Sequence, residues 1–178
     1  MTIPFSARAD SVCQQPTTAS ETFSVGFARV FKGREGDEWA ACDVRVGLVV
    51  PLKSFGPLGD FKTAGFYLAY VSEPDDFAAN FDIASVNLAT GGYAHQINFR
   101  PSFGGVSNLV LKANGSIAWI GYQVLNLDST DPVTVRLADT RGVRVPKNGY
   151  HIKARSLHLT GSRLTWKKGR KTYSTTLH

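Results

Sequence analysis

The sequence predicts an all-β chain built from about four antiparallel units, each a meander of up to four strands. Three observations predict this. Strand-forming residues and glycine are plentiful, while no window of a dozen residues keeps a 3.6-residue apolar period with caps at its ends, so helix should be scarce. Short alternating apolar runs are separated by turns rich in Gly and Asn. The same order of runs and turns recurs along the chain at a period of about forty residues.

The clearest unit is SNLVLKANGSIAWIGYQVLNLDSTDPVTVRLADTRGVRVPKN. It reads as a strand from Asn108 to Lys112, an Asn114-Gly115 hairpin turn, a strand from Ser116 to Gly121 and a longer polar loop. A third strand from Val133 to Ala138, a turn at Arg141-Gly142 and a fourth strand from Val143 to Pro146 follow. The preceding stretch repeats the order: Phe61 to Thr63, a turn near Gly65, Tyr67 to Val71, an acidic loop, Phe81 to Leu88, a turn at Thr90-Gly91-Gly92, and Tyr93 to Phe99. Upstream, FARVFKGREGDEWAACDVRVGLVVPL supplies the second, third and fourth strands of another unit. Downstream come Ser156 to Leu159, Arg163 to Lys167 and Lys171 to Leu177, with no fourth strand before His178. Laying TGSRLTWKKG on NGSIAWIGYQ puts Trp166 under Trp119, and Tyr70 takes the same place one unit earlier, which marks these aromatics as core.

A single twisted sheet cannot bury both faces, and radial packing of such units solves that problem. The predicted fold is therefore a small or incomplete β-propeller of about four four-stranded units, with a β-sandwich as the alternative that strand and turn spacing also allows. One domain is expected over residues 21–178, preceded by a segment 1–20 whose stretch from Ala7 to Gln14 could supply the missing strand and close the ring. The pattern in GFYLAYVSE…FDIASVNLATGG resembles the TolB-like and WD-repeat-like propeller repeat. The final third, LVLKANGSIAWI…RVPKNGYHIKARSLHLTGSRLTW, resembles the C-terminal part of secreted proteins of high-GC Gram-positive bacteria. These resemblances imply a fold and leave function open, because propellers host unrelated roles.

Cys13 and Cys42 are the two cysteines, and they are too far apart for a CxxC metal or redox motif. A disulfide would pin the N-terminal segment to the first unit in an oxidising compartment, whereas two free thiols are the reducing alternative. Ala7-Arg8-Ala9 has the small-x-small form of a signal-peptidase site without an apolar run before it. A secreted or cell-surface location is expected, with no membrane span, since no segment approaches the roughly 18 apolar residues that a span needs.

Chemistry is sparse. GREGDEWA lacks the Lys-Ser/Thr of a phosphate loop, and G-x-S-x-G is absent. His95, His151, His158 and His178 show no metal-ligand spacing; His158 should point away from Leu157 and Leu159, and His178 reads as a fraying end. Glu73, Asp75, Asp76 and Asp82 crowd one loop but do not follow a calcium-loop spacing, so a solvated loop is the expectation. No cofactor is implied.

Charge is the strongest signal. The chain is formally +6, and half of its 20 Lys and Arg fall between Arg141 and Lys171, a stretch with no Asp or Glu. Arg163, Lys167, Lys168, Arg170 and Lys171 are the candidate binding residues, interleaved with Tyr150, Trp166 and Tyr173. With the aromatics assigned to core, these cations suit an anionic polymer or a protein partner rather than specific nucleic-acid readout. The expected function is a noncatalytic extracellular binding or interaction module, monomeric or dimeric. The alternatives are an enzyme with a site in the central channel, where Lys62, Asn108 and His158 fall near innermost-strand positions, and a structural piece of a larger propeller.

Overall fold

The structure is a computed structural model that describes Cys13 and residues 19–33, 38–54, 56–73, 81–99, 104–123, 133–149 and 151–178. Its strands form four antiparallel sheets, each running in chain order. The first holds β1 (Ala19–Val25), β2 (Ala28–Gly33), β3 (Trp39–Asp43) and β4 (Val49–Leu52). The second holds β5 (Leu58–Ala64), β6 (Tyr67–Ser72), β7 (Phe81–Asn87) and β8 (Tyr93–Phe99). The third holds β9 (Gly104–Leu111), β10 (Ile117–Gln123), β11 (Val133–Asp139) and β12 (Gly142–Gly149). The fourth holds β13 (His158–Thr160), β14 (Arg163–Lys168) and β15 (Lys171–Thr176). Among the described residues there is no helix.

The leading strands β1, β5, β9 and β13 touch one another in sequence, so they form the inner edge from which the sheets radiate. Strand alternation then gives each middle sheet two apolar faces. Leu68 and Tyr70 of β6 pack back on Val30, Trp39 and Ala41 of the first sheet, while Ala69 and Val71 pack forward on Leu109, Ile117 and Trp119. In β10 the parity repeats: Ile117 and Trp119 face the second sheet, Ala118 and Ile120 face Leu164 and Trp166 of the fourth. Three cores lie between four sheets, a propeller-like arrangement rather than two sheets around one core. Among the described residues the ring is not closed: the fourth sheet holds three strands, the number read from the sequence for the last unit.

The hairpins that join first and second strands lock neighbouring sheets together. Gly115 sits at φ 90°, and a side-chain carbon there would come within 2.7 Å of Ala94 and Tyr67 of the second sheet. Gly65, at φ 61°, lies as close as 2.9 Å to the Ala113 carbonyl oxygen on the same measure. The Asn-Gly turn therefore serves the hairpin and the contact between sheets at once.

Several boundaries differ from expectation for physical reasons. The first sheet has its own leading strand β1, so it is complete. β12 continues through Pro146 to Gly149; Pro146 falls inside the register slip opposite Val135 and Leu137, where it has no ladder partner, so its missing N–H costs no pair. Trp166 does share the backward-facing, buried place of Trp119, but by face rather than by gapless spacing: Trp119 lies four residues after Gly115 and Trp166 five after Gly161. Cys13 and Cys42 are bonded, with Cα atoms 5.9 Å apart, and they pack with Phe31 on the outward face of the first sheet. The ring-closing strand expected from Ala7 to Gln14 lies, apart from Cys13, outside the described residues.

Candidate functional site

The fourth sheet has one face against the third sheet and one face open. Leu164, Trp166 and Tyr173 take the inner side, where the Trp166 and Tyr173 rings stack at 6.2 Å. The pairings His158↔Thr165↔Ser174 and Lys167↔Thr172 put the alternate residues on the other side. Arg163 joins them through its pairs with Thr160 and Thr176. All are exposed except Thr165, which is half-buried. The result is a surface of hydroxyls with two cations on β14 standing roughly 14 Å apart along the strand, given about 3.4 Å per residue.

The five predicted cations are thus divided. Arg163 and Lys167 belong to the open face, whereas Arg170 occupies the β14–β15 turn and Lys168 pairs with Lys171 beside it. Lys168 is half-buried, its ammonium near Gly149. Of the aromatics expected to be core, Trp166 is 3% exposed, while Tyr173 is half-buried against it with the Lys147 ammonium 5.3 Å from its ring centre. Tyr150 lies outside the described residues. The hydroxyls were missed in the sequence, although the alternation of KTYSTT carries them once β15 is paired.

A second concavity opens along the inner strands. A cleft of 580 Å³ is lined by Asp60 and Lys62 of β5, by Val106 to Leu109 of β9, by Tyr122 of β10, and by Ala154 and Arg155. Lys62 and Asn108, the suspected channel residues, do meet here; His158 does not line it. Asn108 Nδ2 donates to the Leu157 carbonyl at 3.5 Å and Ser107 Oγ to the Ala154 carbonyl at 3.1 Å, which holds the crossing segment at the rim. A third, apolar cleft of 430 Å³ lies between the outer strands β4 and β8, under Leu48, Val50, Leu52 and Tyr93.

Asp139 and Asp82 are titratable groups outside these surfaces that are tied into the structure. Asp139 is buried; burial alone would raise its carboxyl, but donation from the His178 N–H at 2.9 Å, the Arg141 N–H at 2.9 Å and Arg144 holds it below the usual range. His178 is therefore docked rather than frayed, its carbonyl accepting from Ser116 Oγ and Leu177 fully buried. His95 is half-buried and its pKa is pushed down by burial, against the pull of Asp139. His158 is exposed and points away from Leu157, as its alternation implies. Glu73 is exposed and Asp82 is buried, accepting from Asn98 at 3.1 Å; Asp75 and Asp76 lie outside the described residues. Among the described residues no group of three His, Cys, Asp or Glu could hold a metal ion, and no helix is long and apolar enough to cross a membrane.

No protein-family model matches the chain, and no curated protein matches it. Among solved structures, the chain is similar to Kuenenia stuttgartiensis hydrazine synthase, with a TM-score of 0.51 and 14% identity over 80% of this chain and 47% of that one. A structure of a eukaryotic initiation factor also matches, with a TM-score of 0.33 and 14% identity over 91% of this chain and 52% of that one. The chain spans about half the length of each. At 14% identity the hydrazine synthase likeness is one of fold, in keeping with the propeller-like sheets.

Proposed function

We propose that the chain is a noncatalytic extracellular binding module that holds an anionic polymer on the open face of its fourth sheet. The observation that carries this reading is the register of β13–β15, which gathers Arg163 and Lys167 among hydroxyl groups on one exposed face. No Asp or Glu occurs from Arg141 to His178 to oppose them. Cations supply long-range attraction, and hydroxyls, which donate and accept, suit the phosphate, carboxylate and hydroxyl groups of a wall polymer or acidic polysaccharide. The buried place of Trp166 favours such a polymer over single-stranded nucleic acid, whose bases need exposed rings to stack on. The Cys13–Cys42 bond favours an oxidising compartment, hence a secreted or cell-surface location. The repeat's resemblance to TolB-like and WD-repeat-like propellers, and that of the final third to secreted proteins of high-GC Gram-positive bacteria, belong to the same proposal.

The test compares binding to teichoic acid and polygalacturonate with binding to neutral dextran, for the natural chain and for Arg163→Glu/Lys167→Glu. The two anionic polymers should bind and dextran should not, with a loss of at least tenfold in the double variant. Equal binding by both proteins would overturn the assignment to this face.

A further inference from the structure

The cleft on the inner strands carries chemistry that the outer face does not. Asp60, Lys62 and Arg155 are exposed, and none of their side chains has a hydrogen bond or ion pair to another described residue; the described ion pairs are Arg45 with Asp43 and Arg144 with Asp139. Three charges whose side chains have no partner among the described residues thus face one concavity. They come from separate parts of the chain, β5 and the segment leading into the fourth sheet, so their meeting is a product of the fold.

The local backbone is specialised at the same place. Asp60 has φ 51°, in the left-handed region that a non-glycine residue adopts at a cost, and it sits where the β5–β6 register shifts between Gly59 and Lys62. A bulge of this kind re-aims side chains, and here both Asp60 and Lys62 line the cleft. Across from them, Tyr122 is 37% exposed and its ring lies over Gly105, where a side-chain carbon would come within 2.9 Å of the phenol oxygen. Only a residue without a side chain leaves the ring room to lie there.

We propose that this cleft binds an acidic saccharide unit. Lys62 and Arg155 would take the carboxylate, Asp60 and the Asn108 side-chain oxygen would accept from sugar hydroxyls, and the exposed Tyr122 ring would cover the C–H face of a pyranose. Two cations against one carboxylate leave a single surplus positive charge, which suits one acid group set among hydroxyls. The volume of 580 Å³ falls within the roughly 300–1,000 Å³ of small-molecule sites and accommodates a disaccharide. The site is separate from the open face of the fourth sheet, so it stands or falls independently of the polymer reading.

The test is a titration with digalacturonate, followed by amide chemical shifts, with galactobiose as the neutral disaccharide and inorganic phosphate as the bare anion. Digalacturonate should bind at least tenfold more tightly than galactobiose and should not be displaced by phosphate at equal concentration. Lys62→Gln/Arg155→Gln should lower affinity at least tenfold and Tyr122→Ala at least threefold, both with unchanged circular dichroism, whereas Arg163→Glu/Lys167→Glu should leave it within twofold. Equal binding of the neutral sugar, displacement by phosphate, absence of binding, or loss in the outer-face variant alone would each overturn the proposal.

Discussion

Asp43, Asn87 and Asp139 end the third strands of the first three sheets, and each turns a side-chain oxygen onto the backbone N–H two residues on. The turn is local and readable in the repeat pattern, because Asx side chains favour this bond. What each group does beyond the turn is not local. Asp43 also holds Arg45, whose guanidinium lies 3.7 Å from the Phe27 ring centre and 4.5 Å from that of Phe66, and donates to the Gly65 carbonyl of the next sheet. Asp139 accepts from the N–H of His178, 39 residues away. Asp139→Asn keeps the turn and removes the charge, and should cost about 2 kcal/mol at neutral pH by weakening charge-assisted bonds. A carboxyl held low in the folded state stabilises the fold above its unfolded value near 3.9, and that contribution is lost as pH falls through the folded value. Urea unfolding between pH 6 and pH 3 should therefore show a shallower acid decline in Asp139→Asn than in the natural chain. His95 works at a higher pH: burial depresses it, so protonation below about 6.5 opposes folding.

The hairpins are the elements best legible in sequence, since Asn114-Gly115 and Arg141-Gly142 combine turn chemistry with flanking alternation. Their second role, bracing one sheet on the next, is visible only in three dimensions. Gly115→Ala meets both a positive φ and the Tyr67 ring, and should cost about 2 kcal/mol or more by thermal unfolding. Trp166→Ala removes a ring 3% exposed in the third core and should cost about 3 to 5 kcal/mol; a loss near zero would contradict its place beside Leu164. The strand ends were less legible. Pro146 reads as a stop, yet an outer strand tolerates it, and β9 begins at Gly104, where glycines hide the alternation that marks a strand. The open face of the fourth sheet was half legible: charge clustering flagged Arg163 and Lys167, but sorting them from Lys168 and Lys171 required the pairing register. Asp60, Tyr122 and Arg155 left no signal, because their meeting depends on how sheets are arranged about the inner strands.

At the scale of the molecule, the two ends of the arc differ. The first sheet's outward face packs Phe31 and Cys42 with Cys13 beside an Arg29 that donates to Ser24, while the fourth sheet's carries hydroxyls, Arg163 and Lys167 and is exposed. Closing the ring by packing one on the other would take Arg163 and Lys167 out of water on a face that already carries Arg29, a desolvation and like-charge cost that opposes closure. The disulfide spans 29 residues and should contribute roughly 3 to 4 kcal/mol in the chain-entropy model, so reduction should lower the unfolding midpoint without abolishing the inner cores. Making the open face apolar with Thr165→Val/Thr172→Val/Ser174→Val should convert it into an association surface, seen as dimer formation in sedimentation. The most direct test of the account is to map the amides that shift when polygalacturonate is added to the natural chain. Shifts centred on β13–β15, from Thr160 through Lys167 to Thr176, are expected to fade with salt as the cations are screened. Shifts confined to other sheets, or none at all, would contradict a polymer-binding role for the open face.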